Sequence, residues 1–225
     1  MLERMPEPEL MDDEAQARAY AAADFSEPHE RFVTLLRNAF PTGALAGTIL
    51  DLGCGPADVT VRVAQALPAC RIEGVDGAAA MLKLGRERVE AAGLSGRIRL
   101  VQGRLPGARL PSRGYDVVIS NSLLHHLADP NVLWASIRRF GKPGAPVLVM
   151  DLRRPDSEAQ LQQQVLQYAG EAPELLRRDF TNSLRAAYRP EEVRAQLKEA
   201  GLPGFEVRVV SDRHLLVAGR LPDSG

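Results

Sequence analysis

The amino-acid sequence predicts an α/β fold, a three-layer sandwich built on a mainly parallel sheet of seven strands. Short apolar, β-branched runs alternate with helical patterns between Thr48 and Asp151, which favours parallel strands covered by helices on both faces. Only the residues Ser211–Arg213 separate the last two strand-like runs, so these runs form a hairpin and one of them is antiparallel. We expect the strand order 3-2-1-4-5-7-6, with an antiparallel edge strand.

Two helices are expected before the first strand. Asp13–Ala23 carries alanines on one side, and Glu30–Phe40 carries large apolar residues at helical spacing. Thr48–Leu52 is short and apolar and runs into Gly-Cys-Gly-Pro, which indicates a strand followed by a turn. A helix over Asp58–Leu67 and a second strand over Arg71–Asp76 follow.

The alternation then continues to the fifth strand. Further strands are predicted over Arg97–Gln102, Tyr115–Ser120 and Pro146–Asp151, and the helices between them over Ala78–Ala92 and Asn131–Phe140. Residues 153–188 interrupt the pattern with polar, helix-like segments. A helix over Pro190–Ala200, with proline in its first turn, precedes the strands Phe205–Val210 and His214–Ala218.

Composition limits the classes of protein that remain. The 225 residues are 45% hydrophobic and 25% charged, which suits one globular domain over 1–225. A net charge of −1 gives no support for a nucleic-acid partner. The longest apolar runs, such as Val147–Met150, are too short for a membrane span, and the acidic N-terminus lacks a signal pattern. We therefore expect a cytoplasmic protein. Its two cysteines, Cys54 and Cys70, have no metal-ligand spacing, and no metal is expected.

A glycine-containing turn after the first strand predicts a ligand site. Gly53 and Gly55 allow a tight turn and close approach of a ligand, and Asp76 ends the second strand, where a carboxylate can accept hydrogen bonds from ribose hydroxyls. These features alone fit any nucleoside or dinucleotide. Asp51 directly before the turn and Pro56 after it disfavour a pyrophosphate. A carboxylate instead suits the ammonium group of S-adenosylmethionine (SAM), a sulfonium cation without phosphate.

The motifs, taken in order, resemble those of the class I SAM-dependent methyltransferases, in particular the ubiquinone/menaquinone C-methyltransferase branch. The resemblance covers roughly residues 45–220. The matching segments are Asp51-Leu-Gly-Cys-Gly55, Gly74-Val-Asp76, Val101-Gln-Gly103, Tyr115–Asn121 followed by His125-His126, Lys142-Pro-Gly144, and Tyr188–Val193 with Glu199–Leu202. Membership implies a Rossmann-like fold and SAM as the cofactor.

The resemblance also implies the residues that contact the cofactor. The methionine end is assigned to Asp51, Gly53, Gly55 and Thr60, the ribose to Asp76, the adenine to Gly103 and Arg104, and a position facing the cofactor to Asn121. Two residues depart from the family pattern. Ala57 stands where glycine is frequent, and Arg104 stands where an acidic residue often accepts from the adenine amino group. Because arginine cannot accept, Arg104 stacks on adenine, leaves that bond to a backbone carbonyl, or serves the substrate.

Methyl transfer from a sulfonium requires in-line alignment and exclusion of water, and a base only when the acceptor holds its proton tightly. His125, His126 and Tyr20 are the candidate catalytic residues; a structural role is the alternative for each histidine. We expect residues 1–29, with Tyr20, Phe25 and His29, to cover the site as a lid.

Residues 153–188 are expected to form a helical substrate cap. Its arginines suit an anionic substrate group, although solvated helix faces are the default. These arginines are Arg153, Arg154, Arg177, Arg178 and Arg185.

The sequence thus predicts a methyltransferase for a small molecule. A SAM-binding sensor or partner subunit without catalysis is the alternative. Asp51 and Pro56 disfavour a nicotinamide-dependent oxidoreductase. The absence of an Asn/Asp-Pro-Pro-aromatic tetrad after the fourth strand disfavours nucleic-acid methylation.

Overall fold

The computed structural model describes residues 2–7, 12–110 and 114–223. The strands are β1 (Thr48–Leu52), β2 (Arg71–Asp76), β3 (Ile98–Gln102), β4 (Val117–Asn121), β5 (Pro146–Leu152), β6 (Glu206–Val209) and β7 (His214–Arg220). The helices are α1 (Glu14–Ala22), α2 (Ser26–Ala39), α3 (Asp58–Ala66), α4 (Ala79–Ala91), α5 (Asn131–Phe140), α6 (Glu158–Ala169), α7 (Glu174–Ala186) and α8 (Pro190–Glu199). Among these described residues, no helix combines the length and the apolar character that crossing a membrane would require.

The seven strands form one sheet in the order β3-β2-β1-β4-β5-β7-β6, which confirms the predicted fold class and strand order. One detail is corrected. The antiparallel strand is β7, which pairs with both β5 and β6 and therefore lies one position inside the edge. The reason is burial: the first five residues of β7 are buried, whereas β6 is short and mostly exposed. A short, charged strand is the better edge because it resists pairing with other chains.

Helices cover both faces of the sheet and produce the three layers. On one face, Trp134 of α5 and Val193 of α8 pack against strand residues that include Val118 and Val149. On the other face, α2 and α3 pack against the alternate strand residues, including Ile49, Ile72, Ile119 and Leu148. Successive side chains of a strand point to opposite faces, so two apolar cores follow from continuously apolar strands.

The sheet brings polar residues from distant parts of the chain to one edge. Because β1, β2, β4 and β5 are parallel, their carboxyl ends lie together, and Asp51, Asp76, Asn121 and Asp151 all stand at or near those ends. Ligands of open α/β sheets bind at this edge. The predicted helical character of residues 153–188 is confirmed by α6 and α7.

Candidate functional site

An open cleft lies at the carboxyl edge of the sheet and contains about 1030 Å³ of empty space, open solvent included. Seven of the eight predicted cofactor contacts line this cleft, together with two of the three candidate catalytic residues. They are Asp51, Gly53, Gly55, Asp76, Gly103, Arg104 and Asn121, with Tyr20 and His126.

The glycine turn between β1 and α3 shapes the floor of the cleft. Gly53 and Gly55 have φ angles of +73° and +50°, in the left-handed region where glycine is favoured. A Cβ atom on Gly53 would lie 2.8 Å from the Leu123 side chain, whereas one on Gly55 would meet nothing within 4 Å. Gly53 is therefore needed for packing, and Gly55 leaves open space beside the cleft. Ala57 also has a positive φ, 60°, where the methyl group carries a strain that glycine would avoid.

Asp76 fixes the turn as well as facing the cleft. One of its carboxylate oxygens accepts from the Gly55 N–H at 2.9 Å and the other from the Ala78 N–H at 2.8 Å. Burial raises the pKa of Asp76 above its ordinary value, although these backbone bonds oppose the shift. Each carboxylate oxygen has two lone pairs, so the side chain retains capacity for further donors from a ligand.

Asp51 is a buried carboxylate at the centre of the floor, with 2% of its surface exposed. Its Oδ2 accepts from the Thr60 hydroxyl at 2.6 Å. Burial raises the pKa of Asp51 to about 7, against the opposing effect of that hydrogen bond. Thr60 itself is fully buried and does not line the cleft. The structure thus places Thr60 behind Asp51, where it orients the carboxylate, and not in the position expected for direct contact.

Asn121, at the end of β4, carries a polar atom that has no partner within the described protein. Its Nδ2 donates to the Ser122 hydroxyl at 3.2 Å, but its Oδ1 is buried without a hydrogen bond. A buried acceptor of this kind costs stability unless a donor reaches it. Arg104 is exposed and lines the cleft in the segment that follows β3.

The N-terminal helices bring Tyr20 and His29 to the cleft. Burial raises the pKa of Tyr20 to about 12, so its hydroxyl stays protonated near neutral pH and is a donor, not a base. Phe25 lies behind Tyr20, with ring centroids 4.8 Å apart, and lines a smaller adjoining cleft. His29 contacts the carboxylate of Asp58. Although burial alone would raise the pKa of Asp58, its bonds to the His29 ring and an arginine lower it.

The two candidate histidines have different surroundings. His126 lines the cleft, whereas His125 is 3% exposed and does not. His125 Nδ1 lies 2.5 Å from Asp151 Oδ1, while the Leu124 N–H donates to Asp151 Oδ2 at 2.7 Å. Burial opposes a charge on the His125 ring, but Asp151 and then Glu7 raise its pKa on balance. His125 is therefore held inside the protein, and His126 is the histidine that a substrate in the cleft can reach.

The N-terminal segment, residues 2–7, contributes a residue that sequence reasoning missed. Glu7 Oε1 lies 3.1 Å from His126 Nδ1 and 3.5 Å from His125 Nε2. It also accepts from the Ser183 hydroxyl of α7 at 3.0 Å. No local pattern marked Glu7, because it stands in a run of acidic residues and meets the histidines only through tertiary structure.

The five arginines of residues 153–188 do not support the expected binding of an anionic substrate. Of the described residues that line the cleft, none belongs to this insertion. Arg154 is buried and pairs with Glu192 at 2.5 Å, and Arg185 pairs with Glu158 at 2.7 Å. The insertion instead holds the N-terminal segment, since the Leu2 N–H donates to the Asp156 carbonyl at 3.1 Å.

Comparison with known proteins extends these findings. Residues 49–144 match the model of a methyltransferase domain. A ubiquinone/menaquinone biosynthesis C-methyltransferase of a Marinomonas species is 29% identical over 125 residues, 52% of this chain and 47% of that protein. An uncharacterized methyltransferase of Mycobacterium tuberculosis is 26% identical over 177 residues, 77% of this chain and 87% of that protein. The chain therefore spans about half the length of the first of these relatives.

Solved structures agree on the fold. An O-methyltransferase family protein from Burkholderia thailandensis superimposes with a TM-score of 0.71 at 19% identity, over 93% of this chain and 60% of that one. At this identity the likeness shows the architecture alone. Together with the domain match, it confirms the resemblance that the motifs predicted.

Proposed function

We propose that this chain, which carries a methyltransferase domain over residues 49–144, transfers the methyl group of SAM to a small-molecule acceptor. The observation that carries the proposal is the convergence, in one cleft, of the glycine turn, Asp51, Asp76 and Asn121. These residues come from three parallel strand ends and match the positions at which the motifs predicted cofactor contacts. The name of the Marinomonas relative refers to ubiquinone and menaquinone biosynthesis and concerns that protein.

The chemistry of the cleft fits SAM. Asp51 offers a buried carboxylate to an ammonium group, and Asp76 retains lone pairs for ribose hydroxyls. The unpaired Oδ1 of Asn121 requires a donor, and the open space beside Gly55 admits a ligand close to the backbone. When bound, the cofactor would supply a methyl group that is electrophilic because it is attached to a sulfonium. Ala57 stands where a pyrophosphate turn would have a further glycine, and the acidic Asp58 in the first turn of α3 disfavours a pyrophosphate there.

The remaining residues would exclude water and position the acceptor. Tyr20 covers the cleft from the N-terminal side as a neutral hydrogen-bond donor. His126, with Leu123 and Leu127, lines the part of the cleft that follows β4. We propose an in-line transfer in this part, with His126 as the group able to accept a proton from an acceptor that must lose one. In this scheme residues 1–29 act as the lid and α6 and α7 support it.

The test is a binding experiment combined with a transfer assay on the full chain. Isothermal titration should show SAM and its demethylated product, S-adenosylhomocysteine, binding at one site. Mass spectrometry should then detect a methyl-sized gain on an acceptor from a panel of phenols, hydroxy acids, amines, thiols and quinols. Tight SAM binding with no transfer to any endogenous small molecule, tested with cell extract, would favour the non-catalytic sensor or partner subunit. Binding of a nicotinamide dinucleotide in place of SAM would overturn the proposal.

A further inference from the structure

We propose that Glu7, His125 and His126 form a binding site for a divalent transition-metal ion, with Zn²⁺ as the first candidate. Each of the three residues offers one ligand atom, a ring nitrogen or a carboxylate oxygen, and these atoms all lie within 4.8 Å of one another. The sequence predicted no metal; Glu7 lies 118 residues from His125 along the chain, so no local spacing marks these residues as a ligand set.

The spacing of these three atoms is close to that of a coordination sphere. Zn²⁺ binds histidine nitrogen and carboxylate oxygen at about 2.0–2.2 Å, which separates neighbouring ligand atoms of a tetrahedral site by roughly 3.4 Å. Glu7 Oε1 lies 3.5 Å from His125 Nε2 and 3.1 Å from His126 Nδ1. Two imidazoles and one carboxylate are also a ligand set that zinc accepts.

The other ring nitrogen of His125 has the kind of hydrogen-bond partner that orients a metal-binding histidine. A metal-bound histidine commonly donates its other ring N–H to a carboxylate, which fixes the tautomer and the ring orientation. His125 Nδ1 lies 2.5 Å from Asp151 Oδ1, and Asp151 is itself held by the Leu124 and Leu152 N–H groups, each at 2.7 Å. With the proton on Nδ1, the lone pair of Nε2 is available to a metal, and Nε2 lies 3.5 Å from Glu7 Oε1. Ser183 orients the Glu7 carboxylate in the same way.

The local charge favours a cation between these residues. The side chains of Glu7 and Asp151 are 9% and 1% exposed, and a buried carboxylate is costly without a compensating charge. Asp179, which adds further negative charge near Glu7, is also buried. Arg4 lies near the cluster, but its guanidinium donates to the backbone carbonyls of His125, Leu127 and Ala186. Protons shared among the three side chains are the alternative that an experiment must separate from a metal.

The position of the cluster suggests what the metal would do. Three protein ligands leave a fourth coordination position for water or substrate, and His126 places that position at the wall of the cleft. An acceptor with an oxygen or sulfur ligand, such as a phenol, a hydroxy acid or a thiol, would coordinate there and release its proton to water more easily. In the metal-bound protein the ion would take over the role proposed for His126, because a ring that coordinates through Nδ1 has no free nitrogen left to accept a proton. This choice of acceptor rests on the proposed function, whereas metal binding itself does not.

The experiment is metal binding by the full chain, stripped with a chelator and then titrated with Zn²⁺ against a chromogenic competitor. We expect one equivalent to bind, and Co²⁺ to give the visible absorption of a four-coordinate site. Glu7→Gln, His126→Ala and Asp151→Asn should each weaken Zn²⁺ binding about 10–100-fold. Glu3→Ala is the matched control, because Glu3 is an exposed acid of the same N-terminal segment, and it should bind as the parent does.

Circular dichroism and thermal unfolding show whether each variant is folded. Glu7→Gln should fold, because glutamine has the size of glutamate and still accepts from the Ser183 hydroxyl. Failure of the parent chain to bind Zn²⁺, or equal affinity in the parent and in folded Glu7→Gln, would overturn the metal site. SAM affinity, measured on the same preparations, reports on the proposed function separately. Zinc binding without SAM binding would support the metal site and contradict the proposal that a methyl acceptor coordinates there.

Discussion

Replacing Asp51 with asparagine should stabilise the protein and weaken its binding of SAM. Asp51 is 2% exposed, and burial raises its pKa to about 7. At pH 8 the folded, ligand-free protein therefore contains a buried ionised carboxylate, for which the Thr60 hydroxyl is the one side-chain donor among the described residues. Asparagine has nearly the same shape and can still accept from Thr60, so the substitution removes the charge and little else.

The pKa determines the size and sign of the effect. An aspartate in the unfolded chain has a pKa of about 3.9, so the shift is about 3 units and corresponds to at most about 4 kcal/mol. Because the folded-state pKa of Asp51 is raised, Asp51 does not reduce the free energy of unfolding below about pH 4, where it is protonated in both states. Above that pH the free energy of unfolding falls, and the full loss is reached as the pH rises through 7. The asparagine variant should therefore gain about 2–4 kcal/mol in unfolding free energy at pH 8 relative to the parent, and less at pH 5.

SAM binding should change in the opposite direction. Loss of a charge-assisted bond to an ammonium group costs about 1.5–3 kcal/mol, which is roughly a 10–150-fold loss of affinity. Urea denaturation at pH 5 and pH 8 measures the first effect, and calorimetric titration with SAM at pH 8 measures the second. Asp116→Asn is the control, because Asp116 pairs with Lys142 and has a lowered pKa despite partial burial; it should not gain stability at pH 8. An Asp51→Asn variant with unchanged stability at pH 8 and unchanged SAM affinity would refute the reasoning.

Three further predictions test other parts of the molecule. Asp76→Ala should lower SAM affinity by about 1–3 kcal/mol by calorimetry, because it removes acceptors from the cleft; exposed Glu87→Ala should not. Deleting residues 1–26 should abolish methyl transfer and weaken SAM binding while the sheet stays folded, since Tyr20 is lost from the cleft; full activity would show that this segment is only a tail. Burial lowers the pKa of His214 to about 4. The free energy of unfolding should therefore be unaffected by His214 above about pH 6.5 and should fall by up to about 3 kcal/mol as the pH drops through 4. The His214→Asn variant should flatten that profile in denaturation experiments, and an unchanged slope would contradict the assignment.

The sheet and the cofactor side of the cleft were predictable because their signals are local. The turn at Gly53 and Gly55 and the carboxylate of Asp76 follow strands whose apolar pattern is plain in the sequence. The predicted order correctly placed strand 7 beside strand 5, but the antiparallel strand was misplaced at the edge because the hairpin alone does not say which of its two strands runs against the rest of the sheet. That choice depends on the greater length and burial of β7.

The part of the cleft proposed to hold the acceptor was much less predictable because it depends on contacts between distant residues. Glu7 reaches His125 and His126 only after the N-terminal segment crosses to α7. Thr60 was placed in the cleft, but its hydroxyl serves Asp51, a contact that depends on the packing of α3 on β1. Spacing in a sequence can mark a helix face or a strand end, and it cannot state which side chain another one will meet.

Under the proposed function, the contacts of the N-terminal segment have a consequence for how acceptor preference can evolve. This segment is bonded to the helical insertion at several points: Leu2 to Asp156, Met5 to Arg185 and Glu7 to Ser183. A change in one partner therefore disturbs the other.

The residues proposed to bind the cofactor lie between Asp51 and Asn121, outside both segments. During evolution, the N-terminal segment and the insertion could thus be exchanged together while the residues proposed to bind the cofactor stayed constant. Chimeras that transplant both segments should inherit a new acceptor range, whereas chimeras that transplant one should inherit a mismatched pair.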